Sequence, residues 1–110
     1  MAANMVRPNP EVAATMHALM ADQAAQPGKM FASPCYKVNG KMALAVFGDG
    51  IVLKPGAARS RALIEAGAAQ SFEPMPGRAW REWALLTEGF ESAGPLLAEA
   101  VAFVRRETGG

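Results

Sequence analysis

The chain has 110 residues, of which 51% are hydrophobic and 19% are charged, and its formal net charge at pH 7 is +1. This length predicts one domain that folds without disulfides or metal, and the weak, interspersed charge provides no extended field for nucleic acid or an anionic membrane. The single cysteine excludes an intrachain disulfide. Because no apolar run has the length of a membrane span or a signal peptide, the default expectation is a cytoplasmic protein.

The N-terminal region is predicted to contain an arm and a helix. Residues 1–8 show no periodicity and are interpreted as a flexible arm, which leaves residues 9–110 as a single domain. Asn9 is predicted to cap the helix, because asparagine is a favoured N-cap residue and Pro10 suits the first helical position. Apolar residues at helical spacing follow until a Pro-Gly pair, so the helix is predicted to run to about Gln26.

The segment at residues 29–54 predicts three short strands joined by two tight turns. The Asn-Gly pair at 39–40 is typical of a type I′ hairpin turn, since both residues tolerate positive φ. This turn pairs Val38 with Lys41, and the Asp-Gly pair at 49–50 is predicted to form the second turn. The segment therefore predicts an antiparallel meander.

Regular alternation outward from these turns divides the strand residues between two faces of the sheet. The predicted core face contains Phe31, Cys35, Met42, Leu44, Val46, Ile51 and Leu53. The second face contains Tyr36, Ala43, Ala45, Phe47 and Val52, with Lys41 and Lys54. Because this second face is only partly apolar and the end helices are placed on the core face, we expect it to contact a second copy of the chain in a homodimer.

Three more elements are predicted after the meander. A helix over residues 57–66 directs Leu63 and Ile64 inward, and a fourth strand covers residues 78–87. The last helix opens at Gly94 and has a broad apolar stripe. The predicted fold class is α+β, an antiparallel meander of about four strands with the N- and C-terminal helices packed on one face.

The residues that bear chemistry do not form a catalytic or metal-binding pattern in the sequence. Cys35 lies on the predicted core face and is interpreted as a buried structural residue rather than a nucleophile. His17 is the only histidine, which does not provide a zinc site of ordinary composition. Asp49 and its flanking glycines join two strands instead of leading into a helix, so we interpret them as a turn rather than a phosphate loop. No cofactor and no metal are predicted.

The densest polar and aromatic cluster is the sequence RAWREW at residues 78–83. Tryptophan and arginine anchor protein interfaces more often than other residues do. The candidate ligand or partner surface comprises Tyr36, Phe47, Arg78, Trp80 and Glu82. In the alternative interpretation, both tryptophans pack against the terminal helix and the charges are solvated. The low net charge and the acidic residue within the cluster do not favour direct binding of nucleic acid.

Residues 27–106 contain three motifs in order: GKMFASPCYKVNGKMALAVFGDGIVLK, FEPMPGRAWREWALL and a helix ending in AFVRR. The most specific pieces are the Met-Phe pair at 30–31 and the Gly-Arg pair at 77–78. On these motifs the chain resembles the N-terminal domain of TfoX/Sxy-type proteins, a family close in fold to the MmcQ/YjbR group. In that family the segment after the arginine usually has the sequence Pro-Met-Lys-Glu-Trp, of which Glu82 and Trp83 are retained here.

This resemblance implies a small α+β protein with no agreed catalytic residues, in a family linked to competence regulation. We therefore interpret the chain as a non-enzymatic binding or protein-interaction module, regulatory in role and homodimeric. The alternative is a small ligand-binding protein or enzyme with a pocket near Tyr36, Arg78 and Trp80. A pocket with converging polar groups would favour the alternative, whereas an apolar face that pairs two chains would favour the module.

Overall fold

The computed structural model describes residues 7–30, 33–74 and 77–109. These ranges contain α1 (Pro10–Leu19), β1 (Gln26–Met30), β2 (Ser33–Val38), β3 (Lys41–Phe47), β4 (Gly50–Leu53), α2 (Ala57–Glu65), β5 (Gln70–Ser71), β6 (Ala84–Leu86) and α3 (Gly94–Glu107). The six strands form one antiparallel sheet in the order β1-β2-β3-β4-β6-β5. The α+β class is confirmed, with six strands in place of about four. Phe31 and most of the predicted arm lie outside the described residues.

The first helix begins as predicted and ends early. The backbone N–H of Glu11 donates to Oδ1 of Asn9 over 2.8 Å, which satisfies one of the free donors of the first turn. The helix ends at Leu19, because residues 21–25 are small or polar and offer no apolar face to bury. The predicted end near Gln26 is therefore wrong, and that residue begins β1.

A hairpin between β1 and β2 was not predicted. Residues 26–30 pair with residues 33–37 and form one edge of the sheet. In the sequence, Pro27 and Gly28 indicate only the end of a helix. An edge strand accommodates proline, because its backbone nitrogen is not required as a donor on the open side of the sheet.

The hairpin between β2 and β3 follows the predicted register only near its turn. Beyond Lys37 a bulge shifts the pairing, so that Tyr36 pairs with Leu44 and Cys35 with Ala45. A shift of one residue exchanges the faces of a strand. The predicted faces of Cys35 and Tyr36 are therefore wrong: Tyr36 contacts the helix-covered core, and Cys35 lies on the other side of the sheet.

The second turn is formed by residues 48–49, with Phe47 paired to Gly50, and the predicted turn at 49–50 is wrong. Glycine is required at position 50 because a Cβ atom there would lie 2.5 Å from the carbonyl oxygen of Leu86. Val46 consequently pairs with Ile51. The predicted turn would pair Val46 with Leu53 instead. The two partners differ by an even number of residues, so the face assignments in β4 are retained.

The main core lies between the sheet and the helices. Its buried residues come from the strands, from the three helices and from the residue that follows α1, and include Leu44, Val46, Ile51, Leu53, Met16, Met20, Leu63, Leu97, Val101 and Val104. The four strand residues in that set were predicted correctly. Met42 instead packs beside the second cluster, and Ala43, the extra residue of the bulge, contacts the main core. The prediction that both end helices pack on one face is confirmed.

The predicted fourth strand over residues 78–87 is shorter than expected. Only Ala84–Leu86 forms β6, because a turn precedes it in which the N–H of Trp83 donates to the carbonyl of Trp80 over 3.0 Å. Residues 70–71 form β5, which pairs with β6 and forms the second edge of the sheet. None of the helices in the described ranges is long and apolar enough to cross a bilayer.

Candidate functional site

Two large apolar side chains are exposed among the described residues, and both line one groove. Ile64 is 36% exposed and Trp80 is 41% exposed. The groove lies between α2 and the turn before β6, and its volume is about 400 Å³. We call it the tryptophan groove. Its lining includes Ala57, Arg61, Ile64, Glu65, Trp80 and Arg81.

One wall of the groove is a face of α2. Ala57, Arg61 and Ile64 lie four and three residues apart, so they occupy one side of the helix. Leu63 and Ser60 occupy the buried side. The prediction that Ile64 points inward is wrong, because a residue adjacent to Leu63 is rotated by more than a quarter turn away from it.

The opposite wall rests on a cluster of aromatic rings. The ring of buried Phe72 lies edge-on to Trp80, with 5.3 Å between centroids, and to Phe47, with 5.0 Å between centroids. The N–H of Trp80 also donates to the carbonyl of Phe72 over 2.9 Å. Edge-to-face contacts of this kind hold an aromatic side chain in a defined orientation. Trp80 is thus exposed and fixed in place.

The same aromatic cluster covers the second face of the sheet. Phe72 packs against Cys35, Ala45 and Val52, with Phe47 at the edge of the cluster. The predicted contact face for a homodimer is therefore not an open sheet surface, because Phe72 and Trp83 already pack on it. The alternative to a dimer contact on this face is cover by the segment around Phe72 to Trp80, and the packing of Phe72 agrees with that alternative.

The structure separates the predicted site residues into two groups. Phe47 and Trp80 are brought together through Phe72, and the Glu82 carboxylate lies 3.5 Å from Nζ of Lys54. Arg78 is exposed in the segment that leads to Trp80. Tyr36 contacts the helix-covered core on the other side of the sheet.

Tyr36 is joined to the only histidine of the chain. A hydrogen bond of 2.6 Å links its hydroxyl to Nδ1 of His17, and the two rings meet edge to face at 5.5 Å between centroids. Burial raises the pKa of the Tyr36 phenol, so the hydroxyl remains protonated at neutral pH. Within the described ranges, His, Cys, Asp and Glu side chains form no group that could hold a metal ion.

Cys35 is fully buried in the cluster beneath Phe72. Burial raises the pKa of its thiol, and the nearby Lys37 only partly opposes this shift. We expect a thiol reagent to label the folded protein slowly at neutral pH and the denatured protein quickly, because the thiolate is the reactive form. Timed labelling followed by mass spectrometry measures both rates. Equal rates in the two states would contradict a structural role.

A second groove, of about 390 Å³, lies beside the end of β2 and is lined by polar residues. Lys37 and Arg105 both contribute to its lining. The guanidinium of Arg105 donates to the carbonyl of Ala24 over 2.6 Å, so it holds the chain that follows α1. An arginine near the end of the last helix is expected to interact favourably with the helix dipole. The contact of Arg105 with Ala24 is not evident from the sequence, because the two residues are far apart in it.

The sheet and its helices place the described residues in the α+β class. No protein-family model matches the chain, and no significant similarity to a curated protein or a solved structure was found. The resemblance to TfoX/Sxy-type proteins depends on the motifs in the sequence and stays a prediction.

Proposed function

We propose that the chain is a non-enzymatic protein-interaction module of the TfoX N-terminal type, regulatory in role, and that it acts as a homodimer. The observation that carries this proposal is the tryptophan groove, which is lined by the exposed side chains of Ile64 and Trp80. Tryptophan and arginine are enriched among the residues that contribute most to protein binding, and Trp80, Arg61 and Arg81 all line this groove.

The composition of the groove supports contact with a protein. Its apolar centre is formed by Ile64 and Trp80, and its charged residues are Arg61, Glu65 and Arg81. Protein interfaces have the same arrangement, with apolar and aromatic residues at the centre and polar residues at the rim. The aromatic support beneath Trp80 lowers the entropic cost of binding, because the indole is already held in place.

A ligand-binding protein or enzyme is the second candidate, and one observation favours it. The groove volume of about 400 Å³ lies within the range of small-molecule sites. The pocket predicted near Tyr36, Arg78 and Trp80 would have to include residues from both faces of the sheet. The tryptophan groove is therefore the place where a small molecule would be sought.

Native mass spectrometry of the purified protein distinguishes the two candidates. We expect a mass of two chains without an added small molecule, and we expect Trp80→Ala to shift the population toward one chain. The indole is 41% exposed and packs against Phe72, so circular dichroism must first verify that the variant is folded. A single chain with a bound small molecule of defined mass would support the second candidate and contradict the module.

A further inference from the structure

We infer that the occupant of the tryptophan groove is α2 of a second copy of this chain, held by reciprocal ion pairs between Arg61 and Glu65. The two copies are related by a twofold axis, and each supplies its helix to the groove of the other. This inference rests on the proposed interaction function, and it specifies the partner and the contact residues of that function.

The groove wall formed by α2 carries charges of both signs. Arg61 and Glu65 are exposed, have opposite charges and lie four residues apart on the wall of the groove. In the described part of the chain, ion pairs join Lys54 to Glu82 and Arg59 to Glu99, and neither groove residue takes part in one. Both charges are therefore available to a partner.

Twofold symmetry determines which residues of the two copies meet. In a twofold contact, residue i of one copy meets residue j of the other, and j meets i. Two antiparallel α2 helices that cross near position 63 place Arg61 of each copy opposite Glu65 of the other. Ile64 is then within about 1.5 Å, one residue of helical rise, of the crossing point, so the two isoleucines meet beside the axis. Opposite charges thus surround a small apolar centre.

The size of the side chains on α2 determines how closely the two α2 helices can approach where they cross. Among the residues of α2 that line the groove, Ala57 has a small side chain. Small side chains permit helix axes to approach to the lower end of the usual range, about 8–10 Å. The helix of the second copy would then rest on Trp80, whose exposed indole is the largest apolar surface in the groove. Tryptophan in such a central position typically contributes strongly to binding.

Charge reversal tests the pairing directly. Either substitution alone, Arg61→Glu or Glu65→Arg, places like charges opposite each other at both contacts between the copies. Each variant should therefore dimerise at least about tenfold more weakly than the natural chain. An equimolar mixture of the two variants restores opposite charges at both contacts and should form a mixed dimer. The double variant Arg61→Glu/Glu65→Arg should also regain its homodimer. Sedimentation equilibrium at micromolar concentration measures these populations.

Matched controls lie at the end of α3, where Arg106 and Glu107 are exposed. Arg106→Glu and Glu107→Arg make the same changes in net charge and should leave the dimer constant unchanged. Circular dichroism verifies that every variant is folded.

Several outcomes would overturn the inference. If folded Arg61→Glu remains as dimeric as the natural chain, or if the mixture does not associate, the groove is not the contact between copies, although the interaction module itself stands. A natural chain that is monomeric and binds a different protein through Trp80 would overturn both the inference and the proposed homodimer, and would leave the protein-interaction role standing. A monomer with a bound small molecule contradicts both the inference and the proposed function.

Discussion

Replacing Leu44 by alanine is expected to lower the free energy of unfolding by about 2–5 kcal/mol. Leu44 is fully buried in the centre of β3, where it pairs with Leu53 and Tyr36 beneath the helices. Shortening its side chain removes apolar contacts and leaves a cavity, because the paired strands on both sides limit how far the backbone can relax. Urea denaturation with linear extrapolation measures the loss.

A matched control for this prediction is Ile64→Ala, a large-to-small change at an exposed helical position. Its effect on monomer stability should be smaller, about 1 kcal/mol, because Ile64 is 36% exposed at the groove and its truncation leaves no enclosed cavity. Ala45→Ser is not a neutral control, because Ala45 is buried in the cluster beneath Phe72. Equal losses in Leu44→Ala and Ile64→Ala would contradict the observed division between core and groove.

The features that the sequence predicted well depend on local chemistry. The cap at Asn9 and the turn at residues 39–40 each require a residue type with a specific backbone or side-chain property. The stripe of α3 is visible because its apolar residues recur at one spacing over a long helix. These signals depend on residues that are close in the sequence and not on residues of other elements that pack against them.

The features that were missed depend on partners distant in the sequence. The bulge beyond Lys37 changes the register of β2, and it has no glycine or other local marker. β1 forms around Pro27, which ordinarily breaks regular structure, and only its place at the sheet edge permits it. A sequence pattern does not contain this information about neighbouring strands.

The candidate site was predicted in part for the same reasons. The RAWREW segment was singled out by composition, and Trp80 does line the groove. The exposure of Ile64 was not predicted. Ile64 and Leu63 are both apolar, so the sequence alone did not show which of the two side chains is buried in the core. The recurrence of Ala57, Arg61 and Glu65 at helical spacing was the available signal for a second, exposed face of α2.

Replacing Gly56 by alanine is expected to lower the free energy of unfolding by about 3 kcal/mol or more. Gly56 precedes α2 with φ of 104° and ψ of 162°, a conformation that is essentially restricted to glycine. A Cβ atom there would also lie 2.7 Å from Cε1 of Phe103 on α3. The substitution therefore adds backbone strain and a steric clash at the junction of two helices, and thermal or urea denaturation should report both.

Gly67→Ala provides a reference for a positive φ without a clash. Gly67 has φ of 76°, and a Cβ atom there would have no neighbour within 4 Å, so this variant should show only the cost of strain, about 1–2 kcal/mol. Combining Gly56→Ala with Phe103→Leu should recover part of the larger loss, because the ring that meets the new methyl group is removed. A double-mutant cycle isolates this coupling from the separate cost of shortening Phe103. If Gly56→Ala were no more damaging than Gly67→Ala, the ring would not confine the backbone, and the close approach of α2 to α3 would need another cause.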